Sequence, residues 1–172
     1  MGYSATWNEA APVGSVALAS DLDTVIQQLK RDIRERMDPL FRIANLNTTS
    51  TSDVSLATFS LPANTLQDDG AQIRIVAVVR AATQNCVFHS KFGATDIGNR
   101  TVLLNTAIVL EDVVVRTSVN TQRAAAVGAA NASVAPAELL SGAVTLDFRG
   151  SVTAGGTLTI DSIEVWQRGV RP

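Results

Sequence analysis

The sequence has only one cysteine, Cys86, and one histidine, His89, among its 172 residues. A single cysteine cannot form an intrachain disulfide, which excludes small secreted domains stapled by disulfides. Metal sites built from cysteine and histidine clusters are excluded because the ligands are lacking. In a strand, positions 86 and 89 point to opposite faces, which argues against a catalytic Cys–His pair. We predict that Cys86 is a buried small side chain and that His89 is a surface or interface residue.

Charged and aromatic residues are also scarce, at 17% and 5% of the chain, and the net charge is −2. This charge gives no electrostatic surface for nucleic acid. No apolar run is long enough to span a membrane, and the N-terminus lacks the basic and apolar regions of a signal peptide. We therefore expect neither a nucleic-acid partner nor a membrane partner. A surface poor in charge and rich in small residues is typical of a protein partly covered by other chains.

Signatures of catalysis are missing too. The chain has no G-x-G-x-x-G motif and no phosphate-binding loop. Asp68 and Asp69 precede Gly70 and are predicted to be turn residues, because one acidic pair supplies too few oxygens for calcium. A glycosidase needs two acids that face a cleft. The candidates are Asp147, Asp161 and Glu164, which qualify by number only. We predict a protein that is not an enzyme, with no catalytic residue, no cofactor and no metal.

Residues 20–41 carry the strongest pattern in the chain, that of a short amphipathic helix. Ser20 is a good N-cap, Asp23 follows three residues later, and Pro39 ends the helix. Apolar residues follow a 4-3-4 heptad spacing, which defines the helix seam. The helix seam consists of Leu22, Ile26, Leu29 and Ile33.

The helix seam is narrow, whereas a helix that packs on its own domain usually shows a wider apolar stripe. The chain offers no second helix of comparable quality, so we predict that 20–41 is an oligomerisation helix that packs on other copies of itself. The alternative is a helix that lies against the β body of its own chain. Ile at a and Leu at d favour dimers in long coiled coils, but two heptads are too few to hold an oligomer alone.

Residues 1–19 show no periodicity and are predicted to form an extended attachment arm. Trp7 stands among small and polar residues, and Pro12 favours an extended path. A tryptophan in an ordered arm usually fills a pocket on a partner. We therefore predict that Trp7 is the attachment residue.

From residue 42 to 172 the pattern is that of short β-strands rich in β-branched residues. They are predicted at 54–61, 72–81, 85–92, 101–105, 107–117, 123–130, 142–152 and 157–168. Residues 47–52 are predicted as a loop, and a face switch near Asp161 and Ser162 indicates a bulge. The fold class is mainly β, an antiparallel β-sandwich. We favour a jelly roll, since the Cys…Trp…Cys framework of an Ig-like sandwich is absent.

Several of these segments resemble parts of phage virion proteins. The residues Trp7-Asn8-Glu9, 12–15 (PVGS) and 21–37 (DLDTVIQQLKRDIRERM) resemble the N-terminal module of many tailed-bacteriophage virion proteins. The stretches 59–66 (FSLPANTL), 92–95 (FGAT) and 158–167 resemble the jelly-roll domains of phage decoration proteins, head fibres and tail-fibre knobs.

The resemblance implies a homotrimeric virion protein at the capsid surface or on the tail, made in the host cytoplasm. Its partners would be other copies of itself and the major capsid protein or another virion protein. A helix of about 19 residues spans only about 28 Å, which favours a short-armed, non-enzymatic capsid decoration or head-fibre protein. The alternatives are a tail-fibre or receptor-binding knob that recognises a host surface receptor and, less favoured, a tail-borne polysaccharide depolymerase.

Overall fold

The structure is a computed structural model that describes residues 24–30, 39–127 and 134–168. Residues 24–30 form a helix, α1. Nine strands follow: β1 (Phe41–Thr48), β2 (Val54–Leu61), β3 (Gln72–Ala82), β4 (Cys86–Phe92), β5 (Thr95–Val102), β6 (Ala107–Ser118), β7 (Thr121–Ala126), β8 (Val144–Val152) and β9 (Thr157–Arg168).

The strands form two antiparallel sheets that pack face to face. One sheet has the order β1-β9-β3-β6-β7 and the other the order β2-β8-β4-β5. Early strands pair with late ones, β1 with β9 and β2 with β8, while β3 and β4 lie further inside their sheets. This nested pairing is that of a jelly roll, and β7 extends the first sheet by one strand. The predicted mainly-β sandwich is therefore confirmed.

Two strands differ from the sequence prediction. β1 was not predicted: Phe41 begins it rather than ending the helical segment 20–41, and the strand continues through Asn47 and Thr48 into the predicted loop. β5 begins at Thr95, within a stretch whose glycines indicated a turn. Both strands are sheet edges, so their outer positions are polar and the apolar signal is weak.

The predicted alternation in β3 and the predicted bulge in β9 are both confirmed. Ile73, Ile75 and Val79 are buried between the sheets. The pairing of β3 with β9 shifts at Val78 and Val79, and this shift leaves Asp161 as an extra residue in β9. The bulge lets β9 bury Leu158 and Ile160 before it and Ile163 and Val165 after it on the same side.

A buried polar group joins the two sheets inside the core. Asp112 of β6 is 2% exposed; it accepts a hydrogen bond from Ser90 of β4 and one from Arg100 of β5, with 2.8 Å between Arg100 Nη2 and Asp112 Oδ1. Gly98 makes room, because a Cβ there would lie 2.3 Å from the Asp112 carboxylate. Removing one member of such a group would leave a buried charge without its partner.

Every sheet edge in the described part of the chain is interrupted or covered. In β1, Asn45 has a φ of 59° and breaks the regular strand. Register shifts interrupt β2 at Leu56 and β5 at Ile97. The edge of β7 is covered by residues 134–138: Val134 pairs with Ala124, and the Gln122 side chain makes two 3.0 Å hydrogen bonds to the backbone of residue 138. Interrupted and covered edges resist pairing with other chains.

The body has two distinct ends. At the proximal end, β1 begins at Phe41 opposite Val165, and β9 ends at Arg168 opposite Gln72. Phe41 closes this end by stacking on Phe59, with ring centroids 5.0 Å apart. The distal end carries the turns 49–53, 83–85, 103–106 and 153–156. The chain therefore passes from α1 into the body, and leaves its last strand, at the same end.

Candidate functional site

Helix α1 contains two of the four predicted oligomerisation residues, Ile26 and Leu29. They are 39% and 54% exposed, and Val25 beside them is 50% exposed. The alternative interpretation, a helix lying against its own body, would require these side chains to be covered, and within 24–30 they are not. Leu22 and Ile33 lie outside the described residues, as do Trp7 and the whole of the predicted arm 1–19. Self-association and attachment stay predictions.

The outer face of the four-stranded sheet carries a connected group of charged and polar side chains, here called the polar network. It draws on all four strands and on the loop before β2. Its members are Asp53, Ser55, His89, Asp96, Asp147 and Arg149. Local sequence patterns do not indicate this group, because the register of the sheet brings most of its members together.

His89 is the centre of the polar network. Its Nδ1 lies 2.7 Å from Asp96 Oδ1 and its Nε2 lies 2.8 Å from Asp53 Oδ1. A neutral imidazole has one N–H and can donate to one carboxylate only, whereas an imidazolium donates to both. His89 thereby ties β4 to β5 on one side and to the loop 49–53 on the other.

Arg149 continues the polar network from Asp53 to Asp147. Its Nε donates to Asp53 Oδ2 at 2.7 Å and its Nη1 to Asp147 Oδ2 at 2.8 Å, while Ser55 Oγ donates to Asp147 Oδ1 at 2.5 Å. Burial raises the pKa of Asp53, but the hydrogen bonds and charges of His89 and Arg149 outweigh it, so the pKa lies below its ordinary value. The hydrogen bonds that Arg149 donates to Asp147 and Asp53 raise its own pKa.

Cys86 and His89 point to opposite sides of β4. Cys86 faces the core and is 1% exposed, so the prediction of a buried small side chain is confirmed, and burial raises the pKa of its thiol. His89 lies on the outer face but is only 7% exposed. The prediction that it is a surface or interface residue is therefore wrong about exposure, because Asp53, Asp96 and Arg149 surround the ring.

The acids weighed in the sequence do not converge. Asp147 lies in β8 of the four-stranded sheet, whereas Asp161 and Glu164 lie in β9 of the five-stranded sheet, paired with Arg80 and Arg42. Asp69 binds Arg116 beside the turn at Gly70, as expected of a turn residue. Across the described residues, no group of three or more His, Cys, Asp or Glu side chains is placed to hold a metal ion.

The outer face of the five-stranded sheet differs in character. Five valines from β3 and β6 point outward and form the valine face. They are Val76, Val78, Val109, Val113 and Val115. Val78 and Val109 are directly opposite each other, and Val109 is 67% exposed. Strands that are apolar on both sides are typical of sheets covered on both sides.

Charged side chains on the same sheet face neutralise one another. Arg74 donates two hydrogen bonds to Glu111, at 2.5 and 2.7 Å, across the valines. The hydrogen bond from Arg74 lowers the pKa of Glu111 despite partial burial, and the charge of Arg168 adds to the effect. Arg123 and Arg168 lie on the proximal margin of the face. The Arg74–Glu111 pair thus lies among the valines without adding net charge, and the valine face is close to neutral between its margins.

A small pocket lies at the proximal end, between the β2–β3 loop, the β6–β7 turn and the segment before β8. Its volume is about 230 Å³, and Leu66, Leu140 and Arg116 contribute to its walls. The Arg116 guanidinium is already bound to Asp69 and to the Leu66 carbonyl. Pockets for small-molecule ligands usually exceed about 300 Å³, so this one has the size for a single side chain.

Comparison with known proteins assigns no family. No protein-family model and no curated protein matches the chain. Similar solved structures include a glycosyl hydrolase family protein from Mycobacterium fortuitum, with 10% identity, a TM-score of 0.35, and coverage of 73% of this chain and 74% of that one. In the described residues, no helix is long and apolar enough to cross a membrane.

Two further similar structures are viral. The CBM2 module of the evolved Dit of Lactobacillus casei BL23 phage J-1 has 11% identity and a TM-score of 0.35, covering 73% of this chain and 76% of that one. A chain of infectious bursal disease virus, Gx strain, has 10% identity and a TM-score of 0.31, covering 77% of this chain and 30% of that one. At these TM-scores the similarities assign no function.

Proposed function

We propose that this chain is a non-enzymatic structural protein of a bacteriophage virion, a trimeric capsid decoration or head-fibre protein. In this proposal α1 joins the copies, the arm 1–19 attaches them to the major capsid protein or another virion protein, and the jelly roll is displayed outward. The virion setting comes from the resemblance of the N-terminal and body segments to phage virion proteins.

The observation that carries the proposal is the exposure of α1. Val25, Ile26 and Leu29 are solvent-exposed in a single chain although two of them belong to a heptad seam. A helix this short is marginal without packing, so its apolar side chains need a partner surface. The described body supplies no cover for them, which leaves other copies of α1 as the simplest partner.

The end at which the chain enters the body is consistent with attachment through the N-terminal part. The chain enters β1 at the proximal end, and the distal turns lie at the opposite end of the sandwich. If Trp7 anchors the arm on a capsid subunit, the body projects away from that subunit. A helix of about 28 Å gives a short stalk, which suits decoration of a shell better than long reach.

Light scattering on the purified chain tests self-association. We expect a trimer for the wild type and a monomer for the double variant Ile26→Asp/Leu29→Asp, because two charges in the seam would lie unpaired in the helix contact. A folded body in the variant, checked by circular dichroism, shows that only association was lost. A wild type that is monomeric at micromolar concentration contradicts the proposal.

Co-sedimentation with undecorated capsids tests attachment. Wild type is expected to sediment with capsids, whereas Trp7→Ala and a chain lacking residues 2–19 are expected to remain in the supernatant. Loss of a buried tryptophan at an interface typically costs several kcal/mol. Full binding by the shortened chain would place attachment in the β body, and binding to isolated tails instead of capsids would favour a tail location.

A receptor-binding knob is the second candidate, and one observation favours it. Leu103 and Leu104 are 58% and 45% exposed on the β5–β6 turn at the distal end. The turn is held in place, since the Leu104 N–H donates to Asn85 Oδ1 at 2.8 Å. Adherence of labelled protein to host cells, lost in Leu103→Ser/Leu104→Ser, would support this function; no adherence would count against it.

A further inference from the structure

The valine face has no cover in the described structure. Val78 and Val109 form a cross-strand pair at its distal side, and Val109 keeps 67% of its surface exposed. The described residues of α1 do not lie on this face, since Val25, Ile26 and Leu29 are themselves exposed. Contiguous apolar surface of this kind marks an interaction site more often than a surface left to solvent.

The charges on the face indicate what kind of partner fits. Arg42 pairs with Glu164 at 2.8 Å and Arg80 pairs with Asp161 at 3.0 Å, in addition to the Arg74–Glu111 pair. Charges that are satisfied within one face leave no strong bias toward nucleic acid or a highly charged protein. Apart from Arg123 and Arg168 on the proximal margin, these pairs let the face meet its own copies without like-charge repulsion.

The position of the face indicates which copies it meets. β1, the first strand after the helical segment, is the edge strand of the same five-stranded sheet. The β1 edge of this sheet is therefore the part of the body that the shortest stretch of chain joins to α1. Because every described strand edge is interrupted or covered, joining of copies by sheet extension is disfavoured, and we expect association to use a sheet face.

We propose that the valine face is buried against other copies of this chain, turned toward the axis on which their α1 helices meet. The inference rests on the proposed function, since it requires self-association through α1. It adds that the body supplies a second contact, and that the oligomer needs both. The Arg74–Glu111 pair then lies inside the contact, where it fixes orientation more than affinity.

Two lysine substitutions separate the valine face from the opposite face. Val109→Lys puts a charge on the valine face at the position opposite Val78, and the matched control Thr101→Lys puts one at an exposed strand position opposite Val87 on the other sheet. We expect Val109→Lys to raise the half-dissociation concentration about tenfold or more, because the charge would be desolvated. Thr101→Lys should stay near wild type, and equal behaviour of the two variants overturns the inference.

Cysteine cross-linking gives an independent readout. Cys86 is buried, so a new surface thiol is the reactive one. A short bis-maleimide is expected to link copies of Val109→Cys and to leave Thr101→Cys as single chains. Equal cross-linking of both variants at low protein concentration counts against the inference.

The two proposals can fail separately. If Ile26→Asp/Leu29→Asp dissociates the oligomer and Val109→Lys has no effect, only the valine-face inference is wrong. If the wild type is monomeric at micromolar concentration, both are wrong. Unfolding midpoints in urea that match wild type for Val109→Lys show that a loss of association is not a loss of fold.

Discussion

The two outer faces of this sandwich differ in the side chains that they present to solvent. On the four-stranded sheet, outward side chains are polar, and His89 and Arg149 bind them into a network that includes all four strands. On the five-stranded sheet, the outward positions of β3 and β6 include five valines, with Val109 67% exposed. The polar side chains of one face are hydrogen-bonded to one another, whereas no described residue covers the valines of the other.

This difference implies a division of labour. The polar network exchanges contacts with water for contacts within the chain, so it should contribute to the stability of the single body. Folding of one chain leaves the valine face exposed to water. Its burial should therefore stabilise the association of chains rather than the single body. Substitutions on the first face should therefore change the free energy of unfolding, and substitutions on the second should change the oligomer.

The largest effect is expected between the two faces, where Asp112 joins the sheets. Asp112→Ala removes the carboxylate that binds Arg100 and Ser90 and should lower the free energy of unfolding by about 3–5 kcal/mol, as for other broken buried ion pairs. Urea denaturation measures it. A loss of less than about 1 kcal/mol would show that the group is solvated like a surface pair.

His89→Ala should have the next largest effect. It leaves the Asp53 and Asp96 carboxylates without their shared donor, and we expect a loss of about 2 kcal/mol in the free energy of unfolding. Thr101→Ala, on the same sheet but outside the polar network, is the control and should lie close to wild type. Unchanged light scattering is expected for both; dissociation by His89→Ala would break the division between the faces.

Acidification should weaken the polar network by a smaller amount. The pKa of Asp53 lies below its ordinary value of 3.8 in the folded chain, so its stabilising contribution is present above about pH 3.8 and is lost as the pH falls through the lowered value. The side chain is 44% exposed, so we expect less than about 1 kcal/mol. Asp53→Asn should make the free energy of unfolding less dependent on pH in this range. An unchanged dependence on pH would exclude Asp53 as the group responsible.

Val109→Thr should have the smallest effect on folding. It preserves shape and strand preference at a position that is 67% exposed, so the free energy of unfolding should change by less than about 0.5 kcal/mol. The oligomer should nonetheless weaken, because a hydroxyl would enter the valine contact. A change in the free energy of unfolding without a change in association would show that the valine face stabilises the single body rather than the oligomer.

Much of the fold could be predicted from the sequence, because a strand with one buried face has apolar residues at every second position. The alternation of Ile73, Ile75 and Val79 set the core side of β3, and the change of period near Asp161 located the bulge in β9. β1 escaped prediction because its left-handed Asn45 and outward polar residues conceal the alternation of Phe41, Ile43 and Leu46.

The polar network could not be predicted from the sequence, for a different physical reason. His89 and Asp53 are 36 residues apart, and Asp53 and Arg149 are 96 apart. No local spacing rule connects such residues, since the pairing of β8 with both β2 and β4 brings them together. The exposed seam residues Ile26 and Leu29 were found because they lie within one helix, where spacing alone determines the face.

The shared location of Phe41 and Arg168 at one end of the sandwich has a consequence for how such a protein can diversify. Everything proposed to assemble the protein lies at or near that end or on the sheet faces. The β8–β9 turn, where Thr153 and Ala154 are exposed, is remote from all of it. A peptide inserted there would be displayed in several copies per proposed oligomer. The sequence of this turn could therefore change without a change in the residues proposed to assemble the protein.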